Sequence, residues 1–311
     1  MKKTVLICVA IALSLTSFAQ QKVVKTQSEV KDIQNDGTFL KRKVAIGRFT
    51  NETQYAKGLF YTKANDPILK QAYDILSTKL TSSGKFILLE RGDIDKIKDE
   101  SKITGDSSIN QKIGADYIIL GSVTEFGRKE QGQNKVFSTA KTQTVQAAVS
   151  LRLVEVSTGL VIYSEEGKGE ATTTAKTTLG LGATADYDET LSDKAISMAI
   201  SKLVENIVQN CSNRPWRSYF LAYDENGIVV SGGKSQGLKI GDSFIVWEKG
   251  KTVKNPQTGI QIELPGKIVG KVKIDMMAGE TPETEFSIVT LTEGTINKDK
   301  LDNYFIKENK K

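Results

Sequence analysis

The chain has 311 residues, no histidine and only two cysteines, Cys8 and Cys211. Without an imidazole there is no Ser–His–Asp or Cys–His nucleophile system, no histidine zinc site and no histidine acid–base chemistry. Two thiols cannot build a disulfide framework or a cysteine metal site within one chain. Three other patterns could do chemistry. Gly180-Leu181-Gly182-Ala183-Thr184-Ala185 fits a loose dinucleotide pattern, in which glycines let the backbone approach a pyrophosphate. No buried strand leads into it and no apolar helix opens there. Gly233-Lys234-Ser235 echoes the end of a phosphate loop, but the first glycine would stand at position 228, which is Ile228. A hairpin turn is the better reading. The carboxylates Glu165, Glu166, Asp186, Asp188 and Glu189 cluster without any pocket-like frame, and read as solvated faces. The residues therefore predict a protein that is not an enzyme and has no catalytic residue, cofactor or metal ligand.

The N-terminus reads as a targeting segment. Lys2 and Lys3 precede the apolar stretch Val5–Leu15, and Ser17-Phe18-Ala19 offers a small-x-small cleavage site. This predicts a secretory signal peptide over 1–19, cut after Ala19. Cys8 leaves with it and does not stand at the cleavage point, where a lipoprotein cysteine would. The formal net charge of +6 also loses Lys2 and Lys3. What remains is modest for this length and argues against a nucleic-acid partner. Export to the periplasm follows.

Elements must be found to position whatever the mature chain does. Residues 20–42 are polar and read as an arm or linker. Val44–Phe49 is a β run. Asp66-Pro67 opens a helix, with Asp as N-cap and Pro at the first turn, and Ile68, Leu69, Ala72, Tyr73, Leu76 and Leu80 give it one apolar face. Phe86–Leu89 is strand-like, a short helix runs from Asp93 to about Glu100 burying Ile94 and Ile97, and Ala115–Val123 is a third strand. Val145, Ala147, Val149, Leu151 and Leu153 alternate with Gln146, Ala148, Ser150 and Arg152, a strand with one dry face. Ser157–Gly159 turns into a partner strand at Leu160–Tyr163. A last helix, Ser192 to Gln209, buries Ile196, Ala199, Ile200, Leu203, Val204 and Ile207. This is a two- or three-layer α+β domain over 43–211. Beyond Arg214-Pro215, short β runs at Gly227–Ser231, Ser243–Trp247, Lys267–Ile274 and Phe286–Leu291, separated by glycine and proline turns, predict a small all-β barrel or sandwich over 215–311.

Two stretches interrupt the first domain, at about 127–146 and 165–190. The second is rich in Thr, Gly and Ala with a period of two. Each is long enough for a membrane β-hairpin at about 9–11 residues per strand, or for a surface hairpin that never meets lipid. Lys135, Lys141 and Lys176 favour the surface, and the Thr, Gly and Ala richness and the alternation favour the membrane.

Val44–Phe49, the helix opened by Pro67, Phe86-Ile87-Leu88-Leu89-Glu90-Arg91, Gly114–Ser122 and Val149–Gly159 stand in an order that resembles the curli production assembly/transport component family (CsgG-like), over about residues 43–210. The resemblance implies an α+β periplasmic domain with two β-hairpin insertions. It implies a homo-oligomeric channel or assembly component that exports extracellular, curli-like fibre subunits at the outer membrane of a Gram-negative envelope. A soluble periplasmic adaptor or activator, binding another envelope protein without forming a pore, is the alternative on the same scaffold. The family narrows its pore with a Tyr and, four residues on, an Asn-Phe pair. Tyr61 and Asn65 keep that spacing, with Asp66 in the aromatic's place, and are the implied constriction residues. Residues 215–311 are similar to the C-terminal domain of the flagellar assembly protein T family through Gly237–Asp242 and the turn at Pro256–Gly259. That implies a periplasmic assembly or docking role.

Overall fold

The computed structural model describes residues 39–53, 66–104, 114–135, 138–178, 181–182, 188 and 190–309, apart from residues 226, 255, 258, 260 and 283. The first half runs β1 (Arg42–Asn51), α1 (Pro67–Ser82), β2 (Phe86–Leu89), α2 (Ile94–Thr104), β3 (Tyr117–Lys135), β4 (Ser138–Glu155), β5 (Val161–Thr178), β6 (Leu181–Gly182) and α3 (Thr190–Ser212). The sheet order is β2-β1-β3-β4-β5-β6. β1 pairs parallel with β2 and β3, and the remaining neighbours are antiparallel. α1 and α3 pack against each other and against the sheet, so the core lies between one sheet and one helical layer.

Local chemistry explains these elements. The Asp66 carboxylate accepts from the Ile68 and Leu69 N–H groups at 2.9 and 3.4 Å, which satisfies donors that the first turn of α1 leaves free. Val149, Leu151 and Leu153 on β4 are fully buried, whereas Arg152 is exposed. The six apolar residues expected to line the last helix are all buried. α2 departs from expectation. Ile94 and Ile97 are only half-buried, because this short helix lies at the margin of the core.

The second half runs β7 (Arg217–Asp224), β8 (Gly227–Ser231), β9 (Ser243–Glu248), β10 (Thr252–Lys254), β11 (Gln261–Glu263), β12 (Lys267–Ala278), β13 (Phe286–Gly294) and β14 (Tyr304–Glu308). Six of these strands close into a barrel in the order β12-β13-β8-β7-β14-β9. Closure removes sheet edges and settles the choice between barrel and sandwich. Trp216, Val230, Val246, Val272, Ile274, Val289 and Ile306 fill the interior. The end of the polar arm behaves unlike a free linker. Leu40 is buried in the barrel core, and the Lys41 N–H donates to the Gln236 carbonyl at 2.8 Å. Arg42 then begins β1, so the two halves are stitched together at these three residues.

Candidate functional site

The strings that carry the family resemblance turn out to be joints of the scaffold. Asp116 Oδ2 accepts from the Lys43 N–H at 2.8 Å, and the Asp116 N–H donates to the Lys43 carbonyl at 2.7 Å. The Val156 N–H donates to the Asp116 carbonyl at 3.1 Å. One residue thereby ties β1, β3 and the end of β4. Burial pushes its carboxyl pKa up, against the pull of the Lys43 N–H. Glu90 Oε1 accepts from the N–H groups of Gly92 and Asp93 at 2.5 and 3.1 Å and from the Tyr73 hydroxyl at 3.1 Å. It caps the approach to α2 and fastens it to α1. Burial, then the Glu90 charge, push the Tyr73 hydroxyl up to about 12. The turn after β4 closes through the Gly159 N–H on the Glu155 carbonyl at 2.8 Å, with Gly159 at φ 70°.

The patterns with possible chemistry are spoken for in other ways. In the Gly233-Lys234-Ser235 loop, the Ser235 N–H donates to both oxygens of Glu285 at 2.9 Å, and the Ser235 hydroxyl donates to the same carboxylate. The anion that this loop holds is its own. Glu165 and Glu166, neighbours on a strand, point to opposite faces. Glu165 accepts from the Tyr163 hydroxyl and from Asn206 Nδ2 at 2.6 Å, and Glu166 accepts from Thr124 Oγ1 at 2.9 Å. Asp188 accepts from the Thr190 N–H at 3.0 Å at the start of α3. Asp186, Glu189 and most of Gly180–Ala185 lie outside the described residues. Cys211 is fully buried, and burial pushes its thiol up to about 12, so it is held as an unreactive apolar group.

The two expected insertions prove to be one structure. β3, β4 and β5 continue past the core as a single three-stranded antiparallel ribbon. Lys135 partners Ser138, which fixes the end of the first hairpin, and Ser138 partners Thr178. The second insertion also starts later than its composition suggested. Gly167, Gly169 and Ala171 face α3 rather than leaving the domain. A Cβ at Gly167 would lie 2.3 Å from the Ala199 carbonyl oxygen, and one at Gly169 would lie 2.1 Å from that of Ala195. These glycines are a seat for the helix. The signal was present as Gly-x-Gly-x-Ala at a period of two, facing the small residues Ala195 and Ala199.

Past the row of Arg128, Val145 and Ala171 the ribbon loses α3. On one face Thr142 meets Thr174 and Thr144 meets Thr172, hydroxyl to hydroxyl at 3.2 and 3.1 Å. Near the other, Lys141 pairs with Glu130 at 3.1 Å with both side chains exposed. The β3 edge from Glu125 onward, and most of the β5 edge, have no strand partner among the described residues. Tyr61 and Asn65, the implied constriction residues, lie outside the described residues.

The arrangement is a helix-backed mixed sheet that projects an open-edged ribbon, with its recognisable strings spent on structural joints. Comparison with known proteins agrees at the level of family. Residues 26–239 match the model of "Curli production assembly/transport component CsgG", and the chain belongs to the CsgG family. It is 34% identical over 220 residues to the "Putative lipoprotein NMB1126/NMB1164" of Neisseria meningitidis serogroup B, covering 69% of this chain and 96% of that protein. Among solved structures, a PelC dodecamer from Paraburkholderia phytofirmans aligns with 53% of this chain and 86% of its own, at 16% identity and a TM-score of 0.25. The LpoB C-terminal domain from Salmonella enterica aligns with 43% of this chain and 85% of its own, at 19% identity and a TM-score of 0.23. The family match ends at residue 239, so the similarity of residues 215–311 to the flagellar assembly protein T family remains an expectation.

Proposed function

We propose that this CsgG-family chain is an exported envelope assembly component that acts by docking, without catalysis, and that its β3–β4–β5 ribbon is the contact element. The observation that carries this reading is the ribbon's combination of open edges and polar faces. A free strand edge presents unpaired N–H and C=O groups and invites strand addition by another chain. A membrane barrel would need an apolar band on one face. Here the faces offer threonines, Lys141 and Glu130. Among the described residues, the parts beyond α3, 129–135, 138–144 and 172–178, run about seven residues each, short of the roughly 9–11 that a tilted spanning strand requires.

The export channel remains the second reading, favoured by the same open edges, because neighbouring copies could close a ring by edge pairing. The two readings part experimentally. As an adaptor, the mature protein stays soluble without detergent and gives no conductance in planar bilayers. As a channel, it is recovered from outer membranes as a detergent-dependent oligomer, and it conducts. Removing residues 130–142 and closing the gap with a two-residue turn should abolish self- or partner association under either reading. Bilayer conductance from the intact protein would overturn the docking proposal.

A further inference from the structure

The barrel surface carries an ordered feature that its fold does not need. Cross-strand partners set Ile268 beside Trp247, Trp247 beside Phe305, and Phe305 beside Tyr219, over four adjacent strands. Ile268 and Tyr219 are 57% and 41% exposed, and Leu221, two residues along β7 from Tyr219, is 58% exposed. Trp247 and Phe305 stack with centroids 6.4 Å apart. A contiguous apolar row of this kind on an outer face marks an interaction surface. The next row along the same face is basic, with Lys307 partnering Arg217 across β14 and β7. Arg217 lies 5.8 and 5.7 Å from the centroids of Tyr219 and Phe305, and Lys307 lies 5.2 Å from that of Trp247.

This basic row is one wall of a cleft of about 460 Å³, whose other wall comes from the starts of β1 and β3 and the turn after β4. The charges inside are not balanced. Arg42 is spent on the carbonyls of Leu40 and Arg214 at 2.6 and 2.7 Å and on the Glu308 carboxylate at 3.8 Å. Asp116 is held by the Lys43 N–H and lies within the field of Lys43, Arg42 and Arg217 beyond ion-pair distance, and Glu155 faces Arg214 at 3.9 Å, so two carboxylates stand against five basic groups of the lining. Among the described residues, no carboxylate lies within ion-pair distance of Lys43, Arg217 or Lys307. Arg217 Nη2 instead reaches across the cleft to Ser157 Oγ at 2.7 Å.

We propose that the cleft captures a carboxylate-bearing polypeptide segment of a partner, its acidic groups on Arg217, Lys307 and Lys43 and its apolar side chains on the Tyr219–Phe305–Trp247 row. The cleft's size suits a few side chains, and guanidinium beside aromatic rings is the composition of tight protein contacts. The barrel is closed, so recognition comes from side chains and not from a strand edge. A bilayer is the poorer occupant, because a flat headgroup layer meets only the rim of a cleft walled by the Ser157 turn. The carboxylate can come from Asp or Glu side chains or from a chain terminus. The proposal rests on the docking reading for its setting but uses a different surface, so ribbon removal that abolishes association while peptide binding persists would separate the two.

Three N-terminally labelled peptides test it by fluorescence anisotropy on the full mature chain: Phe-Glu-Phe-Glu-Phe amide, its Gln counterpart as the amide, and that Gln peptide with a free carboxylate. The Glu amide or the free-carboxylate peptide should bind saturably, quench Trp247, and bind at least about tenfold more tightly than the Gln amide. Which of the two binds identifies the carboxylate source. The double variant Arg217→Glu/Lys307→Glu should lose the same factor, while Lys102→Glu on α2 should lose none. Tyr219→Ala, which keeps every charge, should weaken binding too and covers the chance that the double variant misfolds. Equal binding of all three peptides, binding of none, or binding through this row only to vesicles of phosphatidylglycerol and phosphatidylethanolamine would overturn the proposal.

Discussion

The lower and upper halves of β3, β4 and β5 are the same three strands in continuous register, yet they live by different physics. Below, Val149, Leu151 and Leu153 are fully buried, and Gly167 and Gly169 let α3 approach to backbone contact. Above, the ladder of backbone hydrogen bonds continues, and the described side chains pair across the strands, Thr142 with Thr174, Thr144 with Thr172 and Lys141 with Glu130. A strand's hydrogen bonds carry it onward after its core has ended. What changes at the boundary is burial, so stability should be concentrated below it, which leaves the part above free for the contacts proposed for it.

The sharpest break of that comparison is Leu151→Asp. It sets an unpaired charge in a fully buried site, which costs several kcal/mol and takes most of a domain's stability. We expect loss of the folded far-UV signal or insoluble protein. Ser150→Asp, one residue away, faces Glu166 across the strand pair and should cost about 0.5–1 kcal/mol through like-charge repulsion. Next in size is Gly169→Val. Its Cβ would overlap the Ala195 carbonyl, and overpacking against backbone costs about 1–3 kcal/mol or more. Thermal melts would show a clear drop. A Gly169→Val protein as stable as the parent would mean that α3 does not rest on β5.

The lower half was largely legible in the sequence, and the physical reason is that burial writes a pattern. The alternation of Val149, Leu151 and Leu153 and the spacing along α3 both read correctly, because each apolar residue faces one core. The Asp66 cap read correctly for the same kind of reason, since a local hydrogen bond dictates the residue type. The glycine seat did not. Small residues fit both a helix contact and a lipid-facing strand, and the arrival of α3 from far along the chain decides between them. β7 and β14 were missed as strands, although Trp216, Ser218 and Phe220 alternate inward against Arg217, Tyr219 and Leu221. Their outward aromatics hide the period of two, and the row they form exists only once β9, β14 and β7 are neighbours. The cleft is less legible still, since Lys43, Arg217 and Lys307 come from three distant parts of the chain.

A third test compares charged groups. Glu165, in the lower half, is held by Tyr163 and Asn206, and those hydrogen bonds lower its carboxyl pKa. A folded pKa below the unfolded one means stability present above the ordinary value of 4.5 and lost as pH falls through the folded value. Burial, then the Glu165 hydrogen bond, raise the Tyr163 hydroxyl, so its share is present below the ordinary value of 10.0 and is lost in strong alkali. Glu165→Gln should flatten the acid limb of a stability–pH curve and cost about 1 kcal/mol or less at neutral pH, given its exposure. An unchanged acid limb would show that the pair is not formed in solution.

The smallest effects belong to the ribbon, and their smallness is the prediction. Lys141 and Glu130 pair at 3.1 Å with side-chain exposures of 41% and 52%, so Lys141→Ala should shift stability by less than about 0.5 kcal/mol, and by less still in high salt. At Gly132, in the ribbon arm of β3, a Cβ would have no described neighbour within 4 Å. Gly132→Val should therefore leave stability unchanged or raise it by up to about 1 kcal/mol, since a β-branched residue suits an exposed strand better than glycine does. The same substitution that should be severe at Gly169 should be harmless here, within the same three-stranded unit. Light scattering adds the second readout. If the open β3 edge is where a copy of the chain adds, a β-branched side chain there should change the oligomer distribution while the melting curve stays put. A large loss of stability at Gly132 would instead place the ribbon inside the cooperative core and erase the boundary between the two halves.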